Sequence, residues 1–319
     1  MVVTSARSSV APGRRGRRTV RSSPSRRDDG RLALILILPA AVGFGVFAAY
    51  PLLSGIYLSF TNFRILTPAT WAGTANYRQL LSDSVFWDSL QTTVYFVVLS
   101  VSVGMLVSLA TAVILHRLTK SPVVRGLVLL PFLISGVVAA LVWQWMLDPG
   151  LGIVNVAVKA LFGHEILFLG SQEWVIPSLA LIAVWKSMGY NAILIFAGLQ
   201  TIPGEIYEAG RMDGAGEFRM FARLTLPLLR PIMAMVIILT MISSFQVFDL
   251  VAVGTSGQGG PAGGPANASN VLPLYIYKTG FTQFNFGYAI TMSMALFVML
   301  LVITFAQMRL LRANDSDTN

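Results

Sequence analysis

The chain has 319 residues, of which 55% are hydrophobic and only 12% are charged. A soluble domain carries about 25% charged residues, so this composition predicts a membrane protein. Cysteine is absent, which excludes a disulfide framework and a thiolate metal site. The two histidines, His116 and His164, are too far apart in the sequence to suggest a metal cluster.

Six apolar runs are each long enough to cross the hydrocarbon core of a membrane, which takes about 20 residues. Backbone polar groups in lipid must be satisfied within their own segment, so each run is expected to be an α-helix. The pattern predicts an all-α, polytopic membrane protein with six transmembrane helices. The predicted spans are 32–52, 89–115, 126–147, 175–199, 231–251 and 286–308.

Lys and Arg are distributed unevenly between the predicted loops. If the N-terminus is cytoplasmic, 18 of the 23 Lys and Arg residues lie on the cytoplasmic side and four lie outside, with Lys186 inside a span. Short loops on the cytoplasmic side carry the excess of Lys and Arg. We therefore expect both termini, and the segment between the fourth and fifth spans, to be cytoplasmic.

Residues 1–31 are rich in Arg, Ser, Gly and Pro and are expected to form a disordered cytoplasmic tail. A cleaved signal peptide is disfavoured, because the first apolar run is too long and no soluble domain follows it. The basic tail is interpreted as an anchor beside anionic lipid. No nucleic-acid partner is expected, because no folded basic face accompanies the tail. Residues 313–319 form a second, short cytoplasmic tail.

The central segment, residues 201–230, places charged residues and glycines between two apolar runs. Pro203 suits the first turn of a helix, where its missing N–H has no consequence. Glu205 and Glu208 follow near the positive end of the helix dipole. Gly214 then ends the helix or allows another backbone to approach closely.

A second short helix is expected at about 217–224, with Pro227 ending it and Pro231 opening the fifth span. The central segment is thus predicted to be a polar helix–turn–helix beneath the membrane. It is too small to fold alone, so docking into a partner protein is one interpretation. An amphipathic connector resting on the lipid surface is the other.

The central segment resembles the EAA motif of binding-protein-dependent ABC importer permeases, which reads Glu-Ala-Ala, three residues, Gly, nine residues and Ile-x-Leu-Pro. Glu208-Ala209-Gly210, Gly214 and Leu224-Thr225-Leu226-Pro227 match it, with Gly210 in place of Ala and Leu224 in place of Ile. The resemblance implies that this segment couples to an ATPase. The coupling residues so implied are Glu208, Ala209, Gly210, Asp213, Gly214, Phe221, Leu226 and Pro227.

Further stretches are similar to the carbohydrate-uptake branch of that family, which includes permeases for oligosaccharides and glycerol phosphate. These stretches are 76–87, 130–155 and 264–297, and the resemblance covers about 32–312. It implies a type I importer permease fold in a bacterial cell membrane. It also implies a second permease subunit, two ATPase subunits and an extracytoplasmic solute-binding protein as partners. ATP and Mg would be used by the ATPase subunits, and no cofactor is expected on this chain.

The substrate pathway is expected to use polar or aromatic side chains near the middle of the bilayer, where each such group is costly. Hydrogen bonding between helices is the alternative role, above all for Ser243 and Ser244. Lys186 either reaches toward the interface or pairs with Asp249, and no role is assigned to it. The candidate pathway residues are Trp185, Tyr190, Asn191, Ser243, Ser244, Gln246 and Asp249.

An ion-coupled secondary transporter of a small polar solute is the alternative function. Such a transporter requires an intramembrane carboxylate or an ion site, and Asp249 is the only candidate carboxylate. An enzyme is not expected, because the two separated histidines provide neither a nucleophile–base pair nor a metal set.

Overall fold

The computed structural model describes residues 26–316 except 66, 120 and 257–260. Within these residues the secondary structure is helical apart from two isolated β-bridges, Thr61–Trp71 and Arg64–Thr67. The predicted all-α class is confirmed. Residues 1–25, most of the predicted N-terminal tail, lie outside the described residues.

The N-terminal unit of the chain ends at residue 54. It contains helix α1 (Arg26–Phe44), a π-helical turn (Gly45–Ala49) and the start of α2 (Tyr50–Ser59). Helix α1 includes residues 26–31, so the helix begins earlier than the predicted boundary between tail and span. The segment Ile35–Ser59 is long and apolar enough to cross a membrane.

The second unit contains the remaining helices that are long and apolar enough to span a membrane. Four of them are continuous. Together with Ile35–Ser59 they make five in the described residues, or six if a bent pair of helices is counted as one span. The continuous segments are Ser84–Leu118, Val175–Gln200, Glu217–Phe245 and Phe286–Arg309. Short helices connect them: α3 (Ala75–Ser82), α7 (Ile153–Phe162) and α13 (Leu272–Tyr277).

The third predicted span, 126–147, is not one continuous helix. It consists of α5 (Pro122–Leu133) and α6 (Gly136–Met146), which are bent by 93° at the break between them. Pro131 weakens the end of α5, because it has no N–H to donate. Ser135 then starts α6 by accepting the Val138 N–H on its side chain at 3.3 Å.

The fifth predicted span, 231–251, has different ends. Helix α11 (Leu226–Phe245) stops at Gln246, and α12 (Asp249–Ser256) begins after a short non-helical break. At the other end α10 (Glu217–Met220) continues through a π-helical turn (Phe221–Thr225) into α11. The predicted separate helix at 217–224 was therefore wrong.

Pro227 does not end a helix, and Pro231 lies inside α11 rather than opening the span. The π-helical turn explains why Pro227 is tolerated. In this turn the Leu226 N–H donates to the Phe221 carbonyl, five residues back. Pro227 comes next, where the backbone hydrogen bonds return from the π-helical to the α-helical pattern, so its missing N–H falls where these bonds change partners.

Helices α4 (Ser84–Leu118) and α8 (Val175–Gln200) form the centre of the second unit, and three buried apolar clusters pack along them. Glycine allows close packing beside this pair. A Cβ on Gly189 of α8 would overlap the Val128 backbone carbonyl of α5. The axis of α5 can lie this close to α8 only because residue 189 has no side chain.

One end of α4 is fixed by the Asp83 carboxylate. Its Oδ1 accepts the N–H groups of Val85 and Phe86, at 2.9 and 3.3 Å, which caps the helix. Its Oδ2 accepts the hydroxyls of Tyr275 and Tyr288, at 2.7 and 2.6 Å. This carboxylate thus joins α4 to α13 and to α14 (Phe286–Ser316). We call this end of α4 the Asp83 end and the opposite end the Arg117 end.

These contacts shift the titration of the groups at the Asp83 end. Burial raises the pKa of Asp83, but hydrogen bonds from the two tyrosine hydroxyls and two backbone N–H groups outweigh it, so the pKa lies below its ordinary value of 3.8. The pKa of Tyr275 is raised, first by burial and then by the Asp83 carboxylate. Burial also lowers the pKa of Lys278, whose Nζ donates to the Asn270 side chain at 3.1 Å.

We predict that Gly189→Ala lowers the free energy of unfolding by about 1–3 kcal/mol, because α5 must move away from α8 to admit the methyl group. The measurement is thermal unfolding of the purified full-length protein. Gly126→Ala in α5 is the matched control, since nothing lies within 4 Å of its Cβ position. Equal effects of the two substitutions would contradict the close approach at Gly189.

We predict that Asp83→Ala lowers the free energy of unfolding by roughly 2–4 kcal/mol, from a lost helix cap and two tyrosine hydroxyls without an acceptor. Asp88→Ala, at an exposed position of the same helix, should change it by less than about 0.5 kcal/mol. The folded pKa of Asp83 lies below 3.8. The stabilisation is therefore present above pH 3.8 and is lost as the pH falls through the folded pKa. Acid unfolding curves that coincide for wild type and Asp83→Ala would refute this assignment.

Candidate functional site: a charged segment and a polar recess

The central segment forms two short helices that follow α8 at the Arg117 end. Pro203 has an extended backbone conformation, and α9 (Gly204–Met212) begins directly after it, with Glu205 in the first turn. Helix α10 and the π-helical turn then lead into α11. The predicted helix–turn–helix is confirmed in its first helix and its turn, whereas its second helix is the start of the fifth span.

Gly214 ends α9 through a left-handed backbone conformation, with φ at +71°. The Ala215 N–H donates to the Gly210 carbonyl at 2.9 Å, and the Gly214 N–H donates to the Arg211 carbonyl at 3.0 Å. These two bonds form a Schellman motif, which satisfies carbonyl groups at a helix C-terminus. Nothing lies within 4 Å of the Cβ position of Gly214, so its surface is open.

Gly210 faces inward, unlike its neighbours Glu208 and Ala209, which are exposed. A Cβ at position 210 would lie 3.0 Å from Cδ1 of Leu224 and 3.5 Å from the Met220 side chain. Glycine therefore lets α9 pack closely against the π-helical turn. This contact gives a physical reason for the departure from Glu-Ala-Ala at this position.

Two polar contacts attach the central segment to the spans. The Tyr207 hydroxyl lies 3.1 Å from the buried Thr225 Oγ1 in the π-helical turn. Arg117 at the end of α4 forms an ion pair with Glu217 at 2.8 Å. Because both members of that pair are more than half exposed, it adds little stability. Phe221 lies between these contacts and lines a cavity of about 400 Å³ beneath α9.

The opposite face of the central segment is free. Met212 and Phe218 are 89% and 84% exposed, which is unusual for large apolar side chains beside charged ones. Leu226 and Pro227 are half-buried at the start of α11 instead. The other exposed residues of this face include Ala209, Asp213 and Gly214, whereas Glu208 and Arg211 are exposed but line the cavity beneath α9.

A polar recess of about 430 Å³ lies between α8, α11 and the two helix breaks. Its polar lining comes from α8 and from the residues before and after the end of α11. Six of the seven candidate pathway residues line this recess. They are Tyr190, Asn191, Ser243, Ser244, Gln246 and Asp249.

Trp185 does not line the recess. Its ring packs edge-on against Trp143, with the ring centroids 5.6 Å apart. The reason is helical geometry, because Trp185 points away from the face that carries Lys186 and Tyr190. Trp185 therefore lies apart from the other six candidate pathway residues.

Some recess residues also bond between helices, as the alternative role predicts. The Asn191 Nδ2 donates to Thr240 Oγ1 at 3.1 Å, joining α8 to α11. The hydroxyls of Ser100 and Ser244 lie 3.1 Å apart and join α4 to α11. Ser243 and Gln246, in contrast, are exposed.

Tyr190 forms an aromatic surface in the recess together with Phe132 of α5. Their rings are stacked, with centroids 4.4 Å apart and planes inclined by 9°. The recess is also lined by Phe132, Ser187 and Thr240, which are not among the pathway residues predicted from the sequence. Helical spacing could have indicated Ser187 and Thr240, which lie three residues before Tyr190 and Ser243.

These features define a helical membrane permease, with a polar recess among its spans and a charged segment at one end. The family described as "Binding-protein-dependent transport system inner membrane component" matches residues 104–314, which is more than half of the chain. The chain belongs to this family.

Two relatives match over almost the whole chain. The lactose transport system permease protein LacF of Rhizobium radiobacter is 34% identical over 278 residues, which cover 86% of this chain and 91% of the relative. The sulfoquinovosyl glycerol transport system permease protein SmoG of Agrobacterium fabrum is 29% identical over 290 residues, covering 90% and 92%.

A solved structure shares the fold. It is the bacterial alginate ABC transporter in complex with alginate pentasaccharide-bound periplasmic protein, and one of its chains aligns with a TM-score of 0.75 at 23% identity. The alignment covers 88% of this chain and 94% of that chain. In the described part of the chain, no group of three His, Asp or Glu side chains is placed to hold a metal ion.

We predict that Gly210→Val loosens the packing of α9 on the π-helical turn, because the branched side chain meets Leu224 and Met220. The expected cost is about 1–3 kcal/mol of local stability, measured as faster amide hydrogen exchange across residues 204–220. Gly204→Val is the control, since its Cβ position has nothing within 4 Å. Unchanged exchange in Gly210→Val would show that α9 is not held by this contact.

Proposed function

We propose that this chain is one of two permease subunits of an ATP-driven importer for a sugar or oligosaccharide. An extracytoplasmic solute-binding protein delivers the solute, and two ABC ATPase subunits drive its passage. The proposal depends above all on the central segment. One side of this segment is exposed, and the other side is joined to the spans. Family membership supports the same function.

The central segment is suited to transmit movement from an ATPase. Its exposed residues can enter a cleft on the partner, where Glu208 makes polar contacts and the open surface of Gly214 allows close packing. Its inner side is connected to α11 through a continuous helix and to α4 through Arg117. A displacement of the segment therefore moves two spans together, as expected for coupling through a rigid element with two arrangements.

The charge distribution supports a cytoplasmic position for the Arg117 end. Arg117, Arg125 and the arginines of the central segment belong to this end, and such residues favour the cytoplasmic side. We infer that both termini are cytoplasmic in a bacterial cell membrane. The Asp83 end then faces the solute-binding protein. The chain itself binds no cofactor, and ATP and Mg are used by the ATPase subunits.

The recess is suited to a carbohydrate. Sugars present hydroxyl groups to polar side chains and a flat apolar face to aromatic rings, and the recess offers both kinds of group. Tyr190 stacked on Phe132 provides the aromatic surface, while Asn191, Ser243 and Gln246 provide hydrogen-bonding groups. The names of the lactose and sulfoquinovosyl glycerol permeases support this class of solute.

An ion-coupled secondary transporter has less support than an ATP-driven importer. Its required carboxylate would have to be Asp249, whose Oδ1 accepts the Leu250 N–H at 2.9 Å at the start of α12. That position is explained by the contact of the carboxylate with the N-terminal turn of α12. Membership in a binding-protein-dependent family argues against this alternative as well.

We predict that Gly214→Asp abolishes solute uptake while the protein still inserts and folds, because the added side chain blocks docking to the ATPase. The measurement is uptake of radiolabelled solute by cells, with membrane abundance determined by immunoblot. Gly163→Asp is the matched control, because Gly163 also ends a helix, at a φ of +79° with open space around it.

The two glycines differ in their position on the chain. Gly163 follows α7, in a loop that precedes α8, and lies outside the central segment. Backbone strain alone would make the two variants equally defective, so uptake near the wild-type level in Gly163→Asp is required. Normal uptake by Gly214→Asp would remove the coupling role of this segment.

A further inference from the structure

Lys186 is a charged residue near the middle of the 26-residue helix α8. It is half-buried, and its side chain lines the recess together with Tyr190 and Asn191. An ammonium group at this depth is costly unless water or an opposite charge compensates it. Such residues therefore mark the path of a solute or the site of a counter-ion.

Pairing with Asp249, one of the two alternatives for Lys186, is not formed. Both side chains line the recess, but within the described ranges no carboxylate oxygen lies within the 4.0 Å of Lys186 that an ion pair requires. The two ion pairs in that part of the chain join Arg117 to Glu217 and Lys159 to Glu165. Of the residues that the structure describes, Lys186 is also the only Lys or Arg that lines the recess.

Asp249 has compensation of its own. Its Oδ1 accepts the Leu250 N–H in the first turn of α12. The carboxylate also lies against Gly136, the first residue of α6, where a Cβ atom would overlap it. A helix N-terminus carries partial positive charge, so two helix ends stabilise this one carboxylate. Among the described residues of the recess lining, the positive charge of Lys186 is then the one left without a partner.

We propose that Lys186 is a specificity-determining residue that selects solutes carrying an acidic group, such as a carboxylate, sulfonate or phosphate. The inference rests on the proposed function, because it takes the recess as part of the solute pathway. The ammonium binds the acidic group of the solute. The stacked Tyr190 and the polar groups of Ser243 and Gln246 bind its neutral, hydroxyl-bearing part.

The absence of cysteine from the chain permits a direct test. Ser243→Cys places a single thiol at an exposed position of the recess. The variant, assembled with its partner subunits, is treated with a negatively charged and with a positively charged methanethiosulfonate of similar size. The rate with the negatively charged reagent is divided by the rate with the positively charged one, and this ratio is normalised to the same ratio for free cysteine. The normalised ratio reports the electrostatic potential at the thiol. A change in the thiolate fraction affects both rates equally and does not alter the ratio.

We expect the negatively charged reagent to react faster at Ser243→Cys. Adding Lys186→Met should lower the ratio about tenfold, the effect of a unit charge across a partly hydrated recess, whereas Lys186→Arg should preserve it. Ser82→Cys, an exposed position in α3, is the location control, and its ratio should not respond to Lys186→Met. At constant ionic strength, D-glucuronate should slow the reaction at Ser243→Cys more than D-glucose does.

A ratio at Ser243→Cys that does not change in Lys186→Met overturns the inference, and so does protection by D-glucose equal to or greater than that by D-glucuronate. Failure of the proposed pathway gives a different result. If neither reagent modifies Ser243→Cys, solutes cannot reach the recess, and the pathway itself is refuted. Reaction without charge preference refutes only the selection by Lys186.

Discussion

Hydrocarbon offers no hydrogen-bond partner to a peptide group, and this constraint determines where the chain can depart from regular helix. The two breaks in the membrane helices, after Leu133 and after Phe245, both adjoin the recess. There the freed backbone groups are satisfied by side chains, as by Ser135 at the start of α6. The same breaks bring Gly136, Gln246 and Asp249 to the lining. The recess therefore exists because the helices stop where polar groups can replace the missing backbone bonds.

The two ends of the second unit are held in different ways. At the Asp83 end, one partly buried carboxylate accepts hydrogen bonds from two backbone N–H groups and two tyrosine hydroxyls, so α4, α13 and α14 meet at a single charged group. At the Arg117 end, the central segment is held by the packing of α9 at Gly210 and by the continuous helix from α10 into α11, with an exposed ion pair and one hydroxyl contact in addition. The first arrangement favours a fixed geometry. The second joins the segment to a span through a continuous helix, which suits a segment that passes on movement.

The spans could be predicted from the sequence, because hydrophobicity over 20 residues is decided by composition alone. The breaks could not, because the apolar composition continues through them. Three prolines illustrate the difficulty: Pro131 precedes a sharp bend, Pro231 lies inside a helix, and Pro227 follows a π-helical turn. Which of these occurs depends on packing against other helices.

The candidate site was predictable to a similar extent. The central segment was found through its motif and its charges, and the recess residues through their polarity within apolar runs. Trp185 lies apart from the other candidates, because polarity and aromatic character do not tell which way a residue on a helix faces. The sequence could not show that Lys186 lacks a partner, because this depends on the position of Asp249 against two helix ends.

The π-helical turn at Phe221–Thr225 has a geometric consequence. It contains one residue more than an α-helical turn, and each residue of an α-helix advances the helix by about 100° around its axis. A single inserted residue thus determines how far α11 is rotated about its own axis relative to α9 and α10. Loss or gain of one residue here would turn α11 to a new face while leaving its hydrophobicity unchanged. An insertion or deletion of one residue here could therefore change which side chains of the fifth span face the recess, without substituting any of them.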